Sequence, residues 1–295
     1  MALIPPFFLD CVVTVGDRQA DGTVEWLASG FFYGFRDTRP GEPSYWTYLV
    51  TNRHVQEGLA RPVVRCNPRG HHHAKEIDLQ LLSKDGANLW HCHPEADVDI
   101  AATPISTAAL RANGVEQSFY TSDAHARRTG ELDALGVSEG DGIFLLGFPM
   151  GIVGGARNQV IVRGGCVARI HDTIAGDNAT FLVDANVFPG NSGGPVILRP
   201  DATSLEGTKA TPSAYLIGVV SSYLPYRDVA VSRQTGHTRV VFEENSGLVE
   251  VFPIDRVDEL LAPHATAMML SGPQNRNSAT AAEAHEMQRR GMSRL

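Results

Sequence analysis

The sequence has no excess of basic charge. Lys and Arg number 25 against 33 Asp and Glu, a formal net charge of −8 over 295 residues. A binder held to nucleic acid by phosphate contacts is therefore not expected, nor is a polybasic membrane-surface protein. No apolar run approaches the length of a membrane span. The first residues, Met1 to Leu9, lack a basic stretch and carry Pro5 and Pro6 within their short apolar run, so they do not read as a secretory signal. Cysteine is scarce. The four, Cys11, Cys66, Cys92 and Cys166, stand far apart with no short pairing, which argues against a disulfide framework. Free thiols and a cytoplasmic location are the expectation. No internal repeat is present.

What remains is globular in composition, 43% hydrophobic and 20% charged, and 29 Gly with 17 Pro suit a chain of many turns. Stretches rich in Val, Ile, Phe and Tyr recur between Gly, Asp and Pro breaks and predict strands. They lie at Phe8–Gly16, Val24–Phe35, Tyr45–Thr51, Val63–Asn67, Ile77–Ser83, Asn88–His93 and Ile100–Pro104. After a polar connection over Ser106–Ala134 come Gly142–Gly147, Gln159–Ile170, Thr180–Asp184, Pro195–Leu198, Tyr215–Ser222 and Val240–Val251. Ile254, Val257, Leu260 and Leu261 fall at helical spacing between Pro253 and Pro263. Many short strands followed by one helix predict an all-β barrel fold rather than alternating strand–helix units.

Three stretches carry chemistry. Phe188-Pro189-Gly190-Asn191-Ser192-Gly193-Gly194-Pro195 sets a serine among glycines. By itself such a stretch is also compatible with an ordinary tight loop. Leu49-Val50-Thr51-Asn52-Arg53-His54-Val55 places a histidine just after an apolar strand, and Asp97-Val98-Asp99-Ile100-Ala101 places carboxylates just before an apolar run. A serine hydroxyl is a weak nucleophile until a base takes its proton. Imidazole titrates near neutrality and serves as base and then acid. A carboxylate fixes the tautomer of that imidazole. The order His, Asp, Ser is the one found in two-barrel serine hydrolases, not in the other folds that carry this triad.

On these residues the chain resembles the trypsin-like serine proteases. It is most similar to the bacterial Deg kind, which read Thr-Asn-x-His-Val, Asp-Ile-Ala and Gly-Asn-Ser-Gly-Gly-Pro. Ser29–Gly34 resembles the family's strand before the histidine strand, and Gly147-Phe148-Pro149-Met150-Gly151 its Gly-x-Pro-x-Gly turn. The resemblance covers roughly Cys11 to Leu261. It implies two packed six-stranded antiparallel β-barrels of chymotrypsin type with a C-terminal helix. The expected protease domain is 1–261, with barrels at about 8–115 and 140–252 and the helix at about 254–262. The polar tail, 263–295, is expected to be partly disordered, with a short helix over Thr280–Arg290 as an alternative. No appended peptide-binding domain is expected within it.

The expected catalytic residues are Ser192 as nucleophile, His54 as base and Asp99 as orienter. The family motif implies oxyanion donors at the N–H groups of Gly190 and Ser192. Asp97 is the rival orienter, although only Asp99 directly precedes Ile-Ala. Asn191 replaces the aspartate that pairs with a freed amino terminus in the trypsin branch, which implies that no N-terminal processing is needed. His71-His72-His73 and His91-Cys92-His93 bring metal-ligating types together, but neighbours along a strand face opposite ways. No metal and no cofactor are expected.

The resemblance also implies a substrate pocket between Asn186–Pro189 and Val219–Tyr223, lined by Asn186, Val187, Val220, Ser221 and Tyr223. Asn186 offers no countercharge to Lys or Arg, Val220 no hydrogen bond to an acidic side chain, and Tyr223 narrows the mouth. The expected preference is a small or medium apolar residue before the cut. The expected activity is that of a serine endopeptidase acting on protein or peptide. The alternatives are a protease-fold binding module and a regulatory protease active only with a protein partner.

Overall fold

The computed structural model describes residues 4–40, 44–68, 73–83, 85–115, 118–201, 206, 208–211, 213–270 and 278–280. The N-terminal half runs α1 (Pro6–Asp10), β1 (Val12–Arg18), β2 (Val24–Arg36), β3 (Ser44–Thr51), α2 (Arg53–Glu57), β4 (Pro62–Cys66), β5 (Lys75–Asp78), β6 (His91–Cys92) and β7 (Ala101–Pro104). A connection carries α3 (Thr107–Ala112), β8 (Tyr120–Thr121) and α4 (Thr129–Leu135). The C-terminal half contains β9 (Gly142–Gly147), β10 (Ile161–Arg169), α5 (His171–Ile174), β11 (Phe181–Asp184), β12 (Pro195–Leu198), β13 (Tyr215–Val231) and β14 (Thr238–Pro253), followed by α6 (Asp255–Leu270) and β15 (Ser278–Thr280).

The C-terminal half is a closed antiparallel barrel in the order β10-β11-β14-β13-β12-β9. The N-terminal half is an antiparallel sheet in the order β5-β4-β1-β2-β3-β7-β6, with β8 and β15 added to β2 and β3. The all-β expectation with a C-terminal helix holds. One barrel closes as expected, whereas β5 and β6 do not pair with each other among the described residues. The reason is local. Only two residues of β6 are extended, and the chain before it folds into a turn in which Ser83 N–H donates to Ala87 and Leu89 N–H to Leu81.

Each half has its own apolar core. Val13, Val15, Phe32, Leu49, Val64 and Ala101 build the first, and Ile143, Leu145, Val183, Val196, Ile217 and Val251 the second. A third core lies between the halves, where Phe31, Tyr48 and Val50 meet Leu146, Ile197 and Phe252, with Ile254, Val257, Leu260 and Leu261 of the α6 region. The Tyr33 hydroxyl donates to Asp258 Oδ1 at 2.7 Å, tying β2 to α6.

Three local expectations are corrected. Residues 6–10 are helical, not the start of a strand. Pro6 suits a first helical turn and not a strand interior, and the turn buries Phe7 and Phe8, Phe7 stacking on His125. Helix α6 passes through Pro263 to Leu270 instead of ending near 262. Proline in a helix interior costs about 3 kcal/mol; burial of Ala265 and packing of Met268 and Met269 on the central core offset it. Strand β13 continues nine residues beyond Ser222, to Val231, forming with β14 an arm that leaves the barrel. The Thr280–Arg290 helix alternative lies outside the described residues except at Thr280, which is in β15.

Candidate active site

His54 sits in the first turn of α2, directly after β3. The turn begins where Asn52 takes an extended conformation, and the buried Asn52 side chain donates from Nδ2 to the Asp99 carbonyl at 2.7 Å. The Asp99 carboxylate meets His54 twice. Its Oδ1 accepts the His54 backbone N–H at 2.9 Å and its Oδ2 lies 2.6 Å from Nδ1. This leaves Nε2 as the ring nitrogen directed away from the carboxylate. Asp97 is exposed on the loop, so of the two carboxylates considered from sequence it is Asp99 that reaches the ring. Arg53 clasps that loop, donating from Nη1 to the Ala96 carbonyl at 2.9 Å and from Nη2 to the Glu95 carbonyl at 3.1 Å and to that of His93.

Ser192 is half-buried in the turn between β11 and β12. Gly193 N–H donates to Val220 O at 3.0 Å, Val220 N–H to Gly194 O at 2.9 Å, and Ser29 N–H to Ser192 O at 2.9 Å. The turn is thus stitched to β13 on one side and β2 on the other. Gly193 has φ +78°, and a Cβ there would lie 2.4 Å from Ser29 O and 2.3 Å from Thr51 Oγ1. Only glycine lets the turn approach the N-terminal half so closely.

Gly190 is held from both flanking peptides. Met150 N–H donates to Pro189 O at 2.6 Å. A trans peptide is planar with C=O and N–H opposed, so the Gly190 N–H points away from Met150. On the other side the buried Ser29 hydroxyl donates to Gly190 O at 2.6 Å and accepts Phe148 N–H at 2.9 Å. Gly190 has φ +100°, and a Cβ would meet Phe148 O at 2.4 Å. Met150 itself has φ +55°, the only non-glycine residue with positive φ among those described. Neither the Gly190 nor the Ser192 N–H has a hydrogen-bond partner among the described residues. Two free donors beside a hydroxyl form a place where a developing oxyanion can be held.

His54 and Ser192 line one cleft of about 220 Å³ with Val187, Phe188, Pro189, Asn191 and Val220–Tyr223. Their side chains make no hydrogen bond to each other among the described residues; such bonds commonly tighten only when substrate is bound. Of the expected pocket residues, Val187, Val220, Ser221 and Tyr223 are in the lining. Asn186 is not: it is exposed, between buried Ala185 and buried Val187. Burial alternates from Val183 to Val187, and Asn186 faces the side opposite Ala185 and Val187. Phe188, Pro189 and Ser222 were not anticipated as lining. Asn191 is buried and accepts Phe188 N–H at its Oδ1, 3.1 Å away.

Four further contributors to the geometry escaped the sequence reading. Asn52, Ser29 and Met150 lie inside stretches already singled out, and their chemistry shows only when the two halves meet. Arg53 occupies a variable position of its motif and gave no signal.

The histidine runs hold no metal cluster among the described residues. His71 and His72 lie outside those residues, and His73 is exposed. His91 and Cys92 are half-buried. His91 packs its ring 4.2 Å from that of His264, and His93 approaches Glu259 at 3.3 Å. All four cysteines are free. Burial pushes the Cys66 thiol up to about 12 and raises that of Cys11 well above its ordinary value, so neither is a ready thiolate. No described helix is long and apolar enough to cross a membrane.

No family model and no curated protein sequence matches the chain. Among solved structures it is similar to the MamO protease domain from Magnetospirillum magneticum in its apo form. Identity is 15%, the TM-score is 0.43, and 91% of this chain and 98% of that one are covered. It is also similar to the Rv3671c protease in an inactive form, at 15% identity and TM-score 0.43 over 88% of this chain and 93% of that one. The HtrA-type protease AlgW, solved with a decapeptide, aligns at 16% identity and TM-score 0.41 over 89% of this chain and 64% of its own.

Proposed function

We propose that the chain is a serine endopeptidase. The observation that supports this most is the double contact of Asp99 with His54, which leaves Nε2 free on the cleft shared with Ser192. In this reading the Ser192 hydroxyl oxygen attacks the carbonyl carbon of a peptide bond. Its proton passes to His54 Nε2, and Asp99 stabilises the imidazolium. The carbonyl oxygen becomes an oxyanion received by the N–H groups of Gly190 and Ser192. When the tetrahedral intermediate collapses, the C–N bond breaks and His54 returns the proton to the leaving amine. An acyl ester remains on Ser192. Water, deprotonated by the same imidazole, attacks the ester and frees the second product with Ser192 restored. No cofactor enters these steps. The substrate is a protein or peptide chain. Residence in a reducing compartment such as the cytoplasm belongs to the same proposal and is supported by the four free cysteines.

A fluorophosphonate probe on the purified protein tests the reading. Labelling of the wild type that vanishes in Ser192→Ala is the expected result. Absence of labelling under all conditions, including with cell extract, would point to a binding module instead. Labelling only with extract present would mean that a protein partner completes the site.

A further inference from the structure

An arm of the barrel is left uncovered by the described residues. Among the described residues, β13 and β14 pair only with each other beyond Pro225. Tyr226 stands opposite Glu244, Arg227 opposite Glu243, Asp228 opposite Phe242, Val229 opposite Val241 and Ala230 opposite Val240. Strand β11 meets β14 only from Leu248 to Val251. The outer edges of both arm strands therefore find no further strand among the described residues. Six of the twelve exposed large apolar side chains among the described residues lie here: Tyr226, Val229, Val231, Val240, Val241 and Phe242, each 47–60% exposed. An isolated two-stranded ribbon is at best marginal in water, and an open apolar edge is a template for pairing.

We infer that the outer edge of β14 pairs with the same edge of a second copy of this chain, antiparallel and centred on Val241. The charges select this register. A two-fold axis normal to a sheet keeps each side chain on its own face, so it can only pass through a single residue's position. Centred on Val241, it sets Arg239 opposite Glu243 twice, Val240 opposite Phe242 twice, and Val241 opposite itself. Centred on Val240, it sets Arg239 against Val241. Centred on Phe242, it sets Val241 against Glu243, and centred on Glu243 it opposes two carboxylates. The outer edge of β13 offers no unlike pair in any register, because its two arm charges, Arg227 and Asp228, are neighbours on opposite faces of the strand. Arg239 has no ion-pair partner among the described residues, whereas Glu243 already takes Arg227 at 2.9 Å and the Tyr223 hydroxyl at 3.2 Å. Pairing completes an alternating row, Arg227–Glu243–Arg239 of the second copy, on both sides of a Val229–Val241–Val241–Val229 stripe. The isolated ribbon becomes a four-stranded sheet with an isologous interface. Tyr223, whose hydroxyl contacts Glu243, also lines the cleft, so the interface begins next to the candidate active site.

Sedimentation velocity of the full chain across a concentration series should show a species of twice the chain mass. Arg239→Glu alone and Glu243→Arg alone each oppose like charges across the axis, so each should be monomeric. Mixed in equal amounts they should form a heterodimer. The introduced glutamate of one variant then faces the introduced arginine of the other, and the unchanged Glu243 of the first faces the unchanged Arg239 of the second. Recovery on mixing excludes misfolding of either variant as the cause of the loss. Val241→Cys should cross-link two copies under mild oxidation, while Val229→Cys, on the far strand, should not. A monomer at every concentration, a dimer indifferent to either charge reversal, or single variants that fail to recombine would each overturn the inference.

Discussion

The Ser29 hydroxyl donates to the Gly190 carbonyl at 2.6 Å across 161 residues of sequence. The same oxygen accepts the Phe148 N–H, and the Ser29 backbone N–H holds the Ser192 carbonyl. One buried side chain of the N-terminal half thus fixes the turn that carries the candidate nucleophile. Ser29→Ala leaves two buried polar groups without partners, at about 1–3 kcal/mol each. The urea midpoint should fall accordingly. Turnover should fall with little change in KM, since the groups released bear on the oxyanion donors and not on the walls of the cleft. Full turnover in a destabilised Ser29→Ala protein would show that the bond serves folding alone.

Asp99→Asn should lower kcat about four orders of magnitude, as the wrong imidazole tautomer does in enzymes with this triad. Asp97→Asn, altering an exposed loop carboxylate, should leave kcat within a factor of about two. Ser192→Ala and His54→Ala should each abolish turnover, with the double variant hardly worse, because groups acting as a unit are strongly non-additive. The reverse ranking of the two aspartates would reassign the orienter.

Gly190 and Met150 make a matched pair. Gly190→Ala places a methyl group 2.4 Å from the Phe148 carbonyl and should reduce kcat by roughly 10²–10³, the usual loss on removing one oxyanion donor. Met150→Gly keeps the N–H that anchors Pro189 and relieves a left-handed residue, so activity should be kept. Met150→Pro deletes that N–H and cannot adopt a positive φ, so kcat should drop as for Gly190→Ala. Equal activity of the glycine and proline variants would remove Met150 from the oxyanion argument.

Acid should destabilise the fold through His264. Its Nδ1 lies 2.8 Å from the Tyr48 hydroxyl, and burial, with the neighbouring His91 ring, depresses its pKa to about 4. Burial lowers the His91 pKa as well. An unfolded histidine titrates near 6.5, so between about pH 6.5 and 4 the unfolded chain binds a proton that the folded chain refuses. Stability then falls as pH falls through that window and levels off below it. Denaturant midpoints measured from pH 7 to 4 should show a weaker slope in His264→Gln. An unchanged slope would place the acid sensitivity elsewhere.

Substrate preference should follow Val187 and Val220. A peptide library read by mass spectrometry should show cleavage mainly after Ala, Val, Leu or Met, with modest discrimination, about ten- to two-hundred-fold per methylene-scale change. Tyr223→Gly should admit aromatic side chains. Cleavage mainly after charged residues would contradict this reading of the pocket.

The parts legible in the sequence were those with local signals. The end of β3 and the starts of β7 and β12 were marked by the passage between apolar runs and Asn, Asp and Gly, and they are where His54, Asp99 and Ser192 stand. What was not legible depends on contacts between distant segments. Pro263 looked like a helix end because nothing local shows Met268 and Met269 packing on the central core. Residues 223–231 were left out of the predicted strand: they carry Pro225, a residue disfavoured within strands, and the arm they form is not buried on either face by the described residues. Asn186 was put in the pocket by counting back from Ser192, whereas it faces outward between buried Ala185 and Val187. The clasp of Ser29 on Gly190 could not be read from either stretch alone, since each is an ordinary turn or strand until the halves meet.

The central core has a temporal side. Its seam joins residues from Phe7 to Ala265, and α6 follows both halves in sequence. His54 and Asp99 are made early, Ser192 later, and the helix that wedges the halves together after that. A growing chain folds its first half before the second exists, and for about a third of its synthesis, from Asp99 to Ser192, it holds histidine and carboxylate in place with no hydroxyl to activate. The seam is closed by the last core element to be made. On the proposed reading, the order of synthesis itself keeps the newborn chain harmless to its neighbours and to itself until the helix arrives.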